Sequence, residues 1–497
     1  MMNKIKKVVV VGGGTAGWIS ASVVKKVLGD FVDVELVESD AVGTVGVGEA
    51  TIPPIRLLNN MLGLSEADFV RETKASFKLA IKFENWRVKG ESYYHTFGAP
   101  GKTYAFCHFH HLLKRAQMEL GDTSNVWDYD LNYLCAEAGK FGHIKTKDPV
   151  LELPYAYHFD AGLYAKFLRK LSESMGVVRT EGFIEHVEQN QETGFIESVI
   201  LKSGQKVSGD LFIDCSGFRG LLIQQKLNTG YEDWTHWLPC DRAVAVPSER
   251  FENTLPYTRA IAHDAGWQWR IPLQHRNGNG LVYSSHHYTD EQALDTLLSN
   301  LDSTAIGDPN FIKFRTGRAR KQWNKNVIAV GLASGFLEPL ESTSIHLIQS
   351  AATRLLQLFP HNGIDQKLVD QYNLESQREY EQIRDFIILH YHVNEREDTM
   401  FWKDLRNMDV PESLTHKIEL YRANGRIFRE QNDLFLEPSW LQVMLGQGIE
   451  AKDYSPIAKT IARDNLDGLL RSLRTVKNDP VPKLSTHDQF IEKLCGR

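Results

Sequence analysis

Apolar side chains along this chain keep two rhythms, and the switches between them outline its elements. Val8 to Val11 is a run of four β-branched residues, which predicts a short strand buried on both faces. From Trp18 to Leu28 apolar residues recur at helical spacing, and Val32 to Glu38 then predicts a second strand. Further on, Phe77, Leu79, Ile81 and Phe83 alternate strictly, which predicts one strand through 77–86 with Lys78 and Lys82 on its polar, solvent-side face. A helix is expected from Asp160, a good cap, to about Glu173, followed by β segments near 182–188 and 196–201 and a buried strand ending at Asp214. Trp267, Trp269 and Ile271 share one face of a strand. Another buried strand, Val327 to Val330, leads into a helix with apolar positions Ile345, Ile348, Ala352, Leu355 and Leu356, and from Asp365 onward the pattern is mostly helical.

Glycine placement turns the first of these strands into a candidate site. Gly12, Gly14 and Gly17 follow it at G-x-G-x-x-G spacing, as needed for a tight turn, a close backbone approach to a pyrophosphate and close packing of helix on strand. The helix N-terminus then faces the phosphates with its N–H groups. Glu38 closes the second strand about 20 residues further on, where ribose hydroxyls need a carboxylate acceptor. A glycine-rich loop, Gly43 through Gly48 and on to the Pro53-Pro54 pair, points to a second close backbone approach. The strand ending at Asp214 runs into Cys215-Ser216-Gly217, repeating the layout of strand followed by small residues. After Val330, small residues and two acids precede a helix capped by Ser342 or Thr343, whose first N–H groups suit a small anion.

A length of 497 residues predicts two or three domains, and the wide separation of the nucleotide unit from the Val327 strand predicts a discontinuous one. The expected division is 1–90 with 150–350 for nucleotide binding, and 91–149 with 351–497 for a mainly helical substrate domain. A formal charge of -6 argues against general binding to nucleic acid or anionic membrane. Five scattered cysteines without a C-x-x-C pair fit a reducing compartment, no segment reaches the length of a membrane span, and the expectation is a cytoplasmic protein. His108, His110 and His111 are adjacent on one element and converge poorly, so no metal site is expected.

Six motifs in order, GGGTAGW at 12–18, GVGEATIP at 46–53, FKLAIKFENW at 77–86, DCSGFRG at 214–220, GWQWRIP at 266–272 and EPLEST at 338–343, resemble the flavin-dependent halogenases of the tryptophan halogenase type. The resemblance is dense from Met1 to Ser344 and looser beyond. It implies an α/β fold like that of flavin monooxygenases, with a Rossmann-type FAD-binding domain and a second, mainly helical substrate domain. It further implies that Gly12, Gly14, Thr15, Ala16, Gly17 and Glu38 hold the adenosine diphosphate part of FAD, and that Gly48, Ala50 and Gly331 belong to segments approaching the flavin ring. Lys78 matches the catalytic lysine, Glu341 its partner acid, and Thr343 and Ser344 the halide site. His95 and Phe97 match walls of the aromatic-substrate site, and Trp267 and Trp269 match walls between flavin and substrate.

The implied chemistry uses reduced FAD from a separate flavin reductase, O2 and a halide to make hypohalous acid, from which Lys78 delivers an electrophilic halogen while Glu341 takes the ring proton. Position 344 is Ser where well-known members have Gly, which leaves bromide and chloride both open. The stretch Leu436 to Met444 is short and mostly apolar where members acting on free tryptophan carry an aromatic and acidic lid, so indole or an indole derivative is the expected substrate, with Trp440 as a contact. A homodimer is compatible with the resemblance. The rival readings are an FAD-dependent aromatic hydroxylase and a non-catalytic flavin-binding protein.

Overall fold

The Val8–Val11 run lies in the Lys7–Val11 strand, whose four valines are at most 2 % exposed. In the computed structural model, which describes residues 4–41, 48–104 and 106–496, this strand is near the centre of a six-stranded sheet. The order is Trp323–Asn324, Val327–Ala329, Leu211–Asp214, Lys7–Val11, Asp33–Glu38, Val178–Glu181, with only the first strand antiparallel to its neighbour. Parallel strands need crossovers that cover the faces, which is why the valine run is apolar on both sides. One face carries the helices Thr15–Leu28, Ala161–Ser174 and Ser344–Gln357, with the Ser22 and Ser172 hydroxyls hydrogen-bonded at 2.6 Å. The core around Val9, Val11 and Phe212 takes in Val199 and Leu201 of a small antiparallel sheet.

The chain divides into two compact units. The first comprises Met1–Ala75, Phe159–Asp241 and Lys313–Glu381, and the second Ser76–His158, Arg242–Ile312 and Gln382–Arg497. These borders differ from those read off the sequence. Residues 242–312, grouped there with the nucleotide-binding segment, belong to the second unit, because the Tyr257–His263 strand pairs in parallel with Ala80–Glu84. The second unit accordingly holds a sheet as well as helices, with strands in the order Asn310–Lys313, Arg242–Ser248, Asn277–Tyr283, Gly266–Pro272, Tyr257–His263, Ala80–Glu84, Ser92–Thr96. Its helices include Phe109–Leu120, Met400–Asn407, Glu412–Asn424, Glu437–Gly446 and Arg463–Asn478.

The alternating stretch 77–86 is not one strand. Ser76–Lys78 pairs antiparallel with His158–Ala156, whereas Ala80–Glu84 lies in the larger sheet. The change of partner occurs at Leu79, whose N–H donates to the Pro256 carbonyl and whose carbonyl accepts from the Phe97 N–H and the Asn132 amide. Alternation records which side of the chain is apolar, not which strand lies alongside, so the break leaves no mark in the pattern. Lys78 departs from expectation too, being fully buried, whereas Lys82 keeps partial exposure. No helix among the described residues is long and apolar enough to cross a membrane.

Candidate functional site

The first unit carries the strand, turn and helix start expected to cradle a nucleotide, and the glycines show their shape. A methyl group added at Gly12 would lie 2.3 Å from the Cys215 carbonyl oxygen, and one at Gly17 would lie 1.8 Å from that of Gly12, so both positions are closed by backbone. At Gly14 the same group meets nothing within 4 Å. Gly14 is the N-cap of the Thr15–Leu28 helix and has no side chain to cap it, leaving a helix start whose N–H groups and positive dipole end suit an anion. Glu38 ends the adjacent strand with its carboxylate against Gly13, and Arg179 donates to it at 2.6 Å. An open glycine beside an uncapped helix start, with a carboxylate at the neighbouring strand end, fits the phosphate and ribose groups of a dinucleotide.

Two more segments of this unit meet the cradle. Gly331 has φ +67°, and a side chain there would come within 2.8 Å of Ala16. Asp214, fully buried, accepts from the Ser216 N–H and hydroxyl and from the Leu222 and Ile223 N–H groups, which folds the Cys215–Gly217 turn against the strand carrying Gly12. Burial raises its pKa, and the four donors oppose that rise. In the glycine-rich loop, Gly43, Gly46 and Val47 lie outside the described residues, while Gly48–Ala50 forms a short strand. Glu49 within it has its carboxyl pushed up to about 7 by burial.

Glu341, Ser342 and Thr343 are buried in the same unit, ahead of the Ser344–Gln357 helix. Ser342 has φ +58°, a left-handed conformation unusual for a residue with a side chain, and it turns the chain sharply between the acid and the helix. Thr343 is the N-cap, and its hydroxyl does not cap the helix, so the N–H groups that follow remain suited to an anion. Glu379, from the Gln366–His392 helix, braces the other helix by receiving His346 at 3.2 Å and Arg354 at 2.6 Å. Burial opposes ionisation of Glu379, yet these two partners bring its pKa down to about 2.

Lys78 belongs to the second unit, with its ammonium 5.1 Å from the centre of the Phe97 ring. Phe97 and His95 flank Thr96, whose N–H donates to the Gln442 side-chain oxygen at 2.9 Å. The Glu437–Gly446 helix is therefore tied to the strand carrying His95, and its Trp440 is buried with the indole N–H donating to the Phe435 carbonyl. Phe386 stacks on Phe435 at 3.9 Å and meets Trp440 edge-on, with His95 5.6 Å from Phe386. Trp267 and Trp269 are 6.3 Å apart on one strand face, Trp267 against Trp86 and Trp269 over Gly280, where a side chain would overlap the indole.

Several residues that hold this arrangement are invisible in sequence spacing: Arg179 at Glu38, Gln442 at Thr96, and a pair of histidines at the lysine strand. Burial above all, with the Lys78 charge second, keeps His158 well below its usual pKa, and burial brings His487 down to about 4. Among the described residues no group of three or more His, Cys, Asp or Glu side chains could hold a metal ion, and the five cysteines are buried thiols.

The tryptophan halogenase family model matches residues 7–463. The tryptophan 7-halogenase RebH of Lentzea aerocolonigenes is 37 % identical over 100 % of both chains. Among solved structures, the flavin-dependent halogenase Xcc4156 from Xanthomonas campestris is 44 % identical with a TM-score of 0.96, covering 99 % of each chain. BrvH, a flavin-dependent halogenase from Brevundimonas sp. BAL3, is 42 % identical with a TM-score of 0.95, also over 99 % of each chain. Enzymes of this kind halogenate aromatic substrates with reduced FAD, halide and O2, the reduced flavin coming from a separate reductase. With these motifs, this fold and these relatives, the chain belongs to the tryptophan halogenase family and is an FADH2-dependent halogenase.

Proposed function

We propose that this enzyme transfers an electrophilic bromine or chlorine through Lys78 to an electron-rich ring, and that indole or an indole derivative is preferred to free tryptophan. The observation that carries the first part is a fully buried lysine facing an aromatic ring. An ammonium is costly to bury, and one kept there beside Phe97 is suited to act on a small polar oxidant. Bound reduced FAD would give two electrons to O2, which takes two more from the halide, so that hypohalous acid and water result. Gly14, Thr15, Ala16 and Gly17 hold the pyrophosphate in this scheme, with Glu38 on the ribose and Gly48, Ala50 and Gly331 near the ring. The N–H groups at Thr343 and Ser344 hold the halide.

Lys78 then donates a hydrogen bond to the hypohalous oxygen, or is itself N-halogenated, and the halogen passes to a ring carbon. Glu341 stabilises the cationic ring and accepts the proton lost from that carbon, so that hypohalous acid and arene become haloarene and water. Trp267 and Trp269 act as walls that keep the substrate from the flavin. The substrate preference rests on the Glu437–Gly446 helix. Gln442 is engaged with the Thr96 backbone and Trp440, Leu441, Val443 and Met444 are buried, so this segment is used in packing rather than in gripping an amino-acid headgroup. His95, Phe97 and Trp440 are the proposed substrate contacts.

The test combines enzyme, reductase, NADH, FAD and bromide with indole or tryptophan and weighs the products. Bromine gain with a higher kcat/KM for indole is expected. Oxygen gain would favour the hydroxylase reading, and a higher kcat/KM for tryptophan would overturn the preference. Lys78→Ala is expected to abolish bromination while O2 consumption continues, and an unchanged yield would remove Lys78 from the mechanism.

A further inference from the structure

We propose that His487, on the C-terminal helix His487–Cys495, is a positioning residue that holds the Lys78 strand in place; this rests on the reading of Lys78 given above. Ser76–Lys78 is an edge strand, paired on one side with Ala156–His158. On the other side no strand lies among the described residues, and without a side-chain partner the Phe77 N–H would be left buried with no acceptor. The His487 Nε2 accepts it at 2.9 Å. That bond requires the proton on Nδ1, which donates to the Thr254 carbonyl at 2.8 Å. A neutral imidazole in one tautomer thus joins the lysine strand to the loop before Tyr257. The same loop offers the Pro256 carbonyl to the Leu79 N–H at 2.8 Å, so both residues flanking Lys78 are pinned to it.

Two further sets of contacts show that the C-terminal helix is built for this task. Asp488 accepts from the Thr254 N–H at 2.8 Å and from its hydroxyl at 2.6 Å, which fixes the loop to the same helix turn. On the side-chain side, Phe77 stacks on Phe141 at 4.1 Å and meets Phe490, from the C-terminal helix, at 5.3 Å. Side chains of successive strand residues point to opposite faces. Fixing the Phe77 ring and N–H on one side therefore fixes the direction in which Lys78 leaves the strand on the other. His158 supports the far end, with Nδ1 3.0 Å from the Ser76 hydroxyl and Nε2 2.8 Å from the Thr258 hydroxyl.

The experiment compares His487→Leu, which removes the acceptor, with His487→Gln, whose side-chain oxygen can still reach the Phe77 N–H. Full-length variants are assayed for melting temperature, for brominated product per O2 consumed, and for hypobromite captured by a 1,3-diketone trap. His487→Leu is expected to lower kcat by about 10- to 100-fold, the scale of a misplacement near 1 Å, with little change in KM and more trapped hypobromite. His487→Gln is expected to recover most of the product yield. A folded His487→Leu with wild-type product per O2, or a His487→Gln no better than it, overturns the proposal. If His487→Leu does not fold, His487→Asn, whose shorter amide can still reach the Thr254 carbonyl but not the Phe77 N–H, takes its place, and wild-type coupling in that variant overturns the proposal equally. Lys78→Ala run alongside separates the two levels: if it still brominates, the reading of Lys78 fails, whereas if it is inactive and the His487 variants are normal, only the role of His487 fails.

Discussion

Replacing Gly14 by alanine separates the folding role of the glycine motif from its binding role. The residue has φ −75° and ψ −174°, which alanine adopts without strain, and the added methyl meets no protein atom within 4 Å. Folding stability should therefore change by no more than about 0.5 kcal/mol, any loss being offset by the smaller conformational freedom of alanine in the unfolded chain. At Gly12 the same methyl lies 2.3 Å from a carbonyl oxygen and the backbone has φ +112°, so Gly12→Ala has to move backbone. A cost of about 2 kcal/mol or more is expected there. For FAD the order reverses. A methyl at Gly14 occupies the space through which the pyrophosphate reaches the helix N–H groups, and losing one charge-assisted hydrogen bond costs about 1.5–3 kcal/mol, or roughly 10- to 100-fold in Kd. Titration of the apo protein with FAD, followed by calorimetry or flavin fluorescence, gives the affinity, and melts without FAD give the stability. An affinity for FAD within about twofold of wild type in a folded Gly14→Ala would show that the pyrophosphate does not pass this position.

Other expectations concern the acid, the buried histidine and the paired indoles. Glu341→Gln should lower the bromination rate by about 10²- to 10⁴-fold while leaving FAD affinity unchanged, as expected for a lost proton acceptor, and a rate near wild type would exclude that role. His487 is neutral when folded, with its pKa depressed to about 4 from an ordinary 6.5, so the folded state takes up its proton less readily than the unfolded state. Its contribution is present above pH 6.5 and is lost as pH falls towards 4, amounting to about 2 kcal/mol by pH 5. Denaturant unfolding at pH 7 and pH 5 should show that extra loss in wild type but not in His487→Gln, and equal losses would refute it. Gly280→Ala places a methyl 2.0 Å from the Trp269 ring and should destabilise the second unit by about 1–3 kcal/mol, with a changed tryptophan emission spectrum.

The strand–turn–helix–strand unit at Lys7–Glu38 was legible from local pattern because its requirements are local. A valine run, three glycines and an acid are set within one strand, turn, helix and strand, and the strand register carries Lys7–Val11 beside Asp33–Glu38 as that spacing requires. The break in the lysine strand is illegible for the opposite reason. Phe77 to Phe83 alternate through a point where the chain leaves one sheet and enters another, and the bonds that part them come from Pro256, Phe97 and Asn132. The His487 contact to Phe77 spans 410 residues, and no periodicity records a partner so distant.

By itself the order of residues determined the strand, glycine turn and helix start at Val8–Leu28, the Asp160 cap of the Ala161–Ser174 helix, and, through six motifs, the kind of enzyme to expect, since each depends on backbone freedom or side-chain chemistry within a few positions. Only the tertiary structure decided that residues 242–312 belong with the lysine rather than with the nucleotide, and that Lys78 is buried instead of solvated. Burial and strand partnership depend on which distant segments close over a residue, and a strand presents the same alternating faces whether water or protein lies against them.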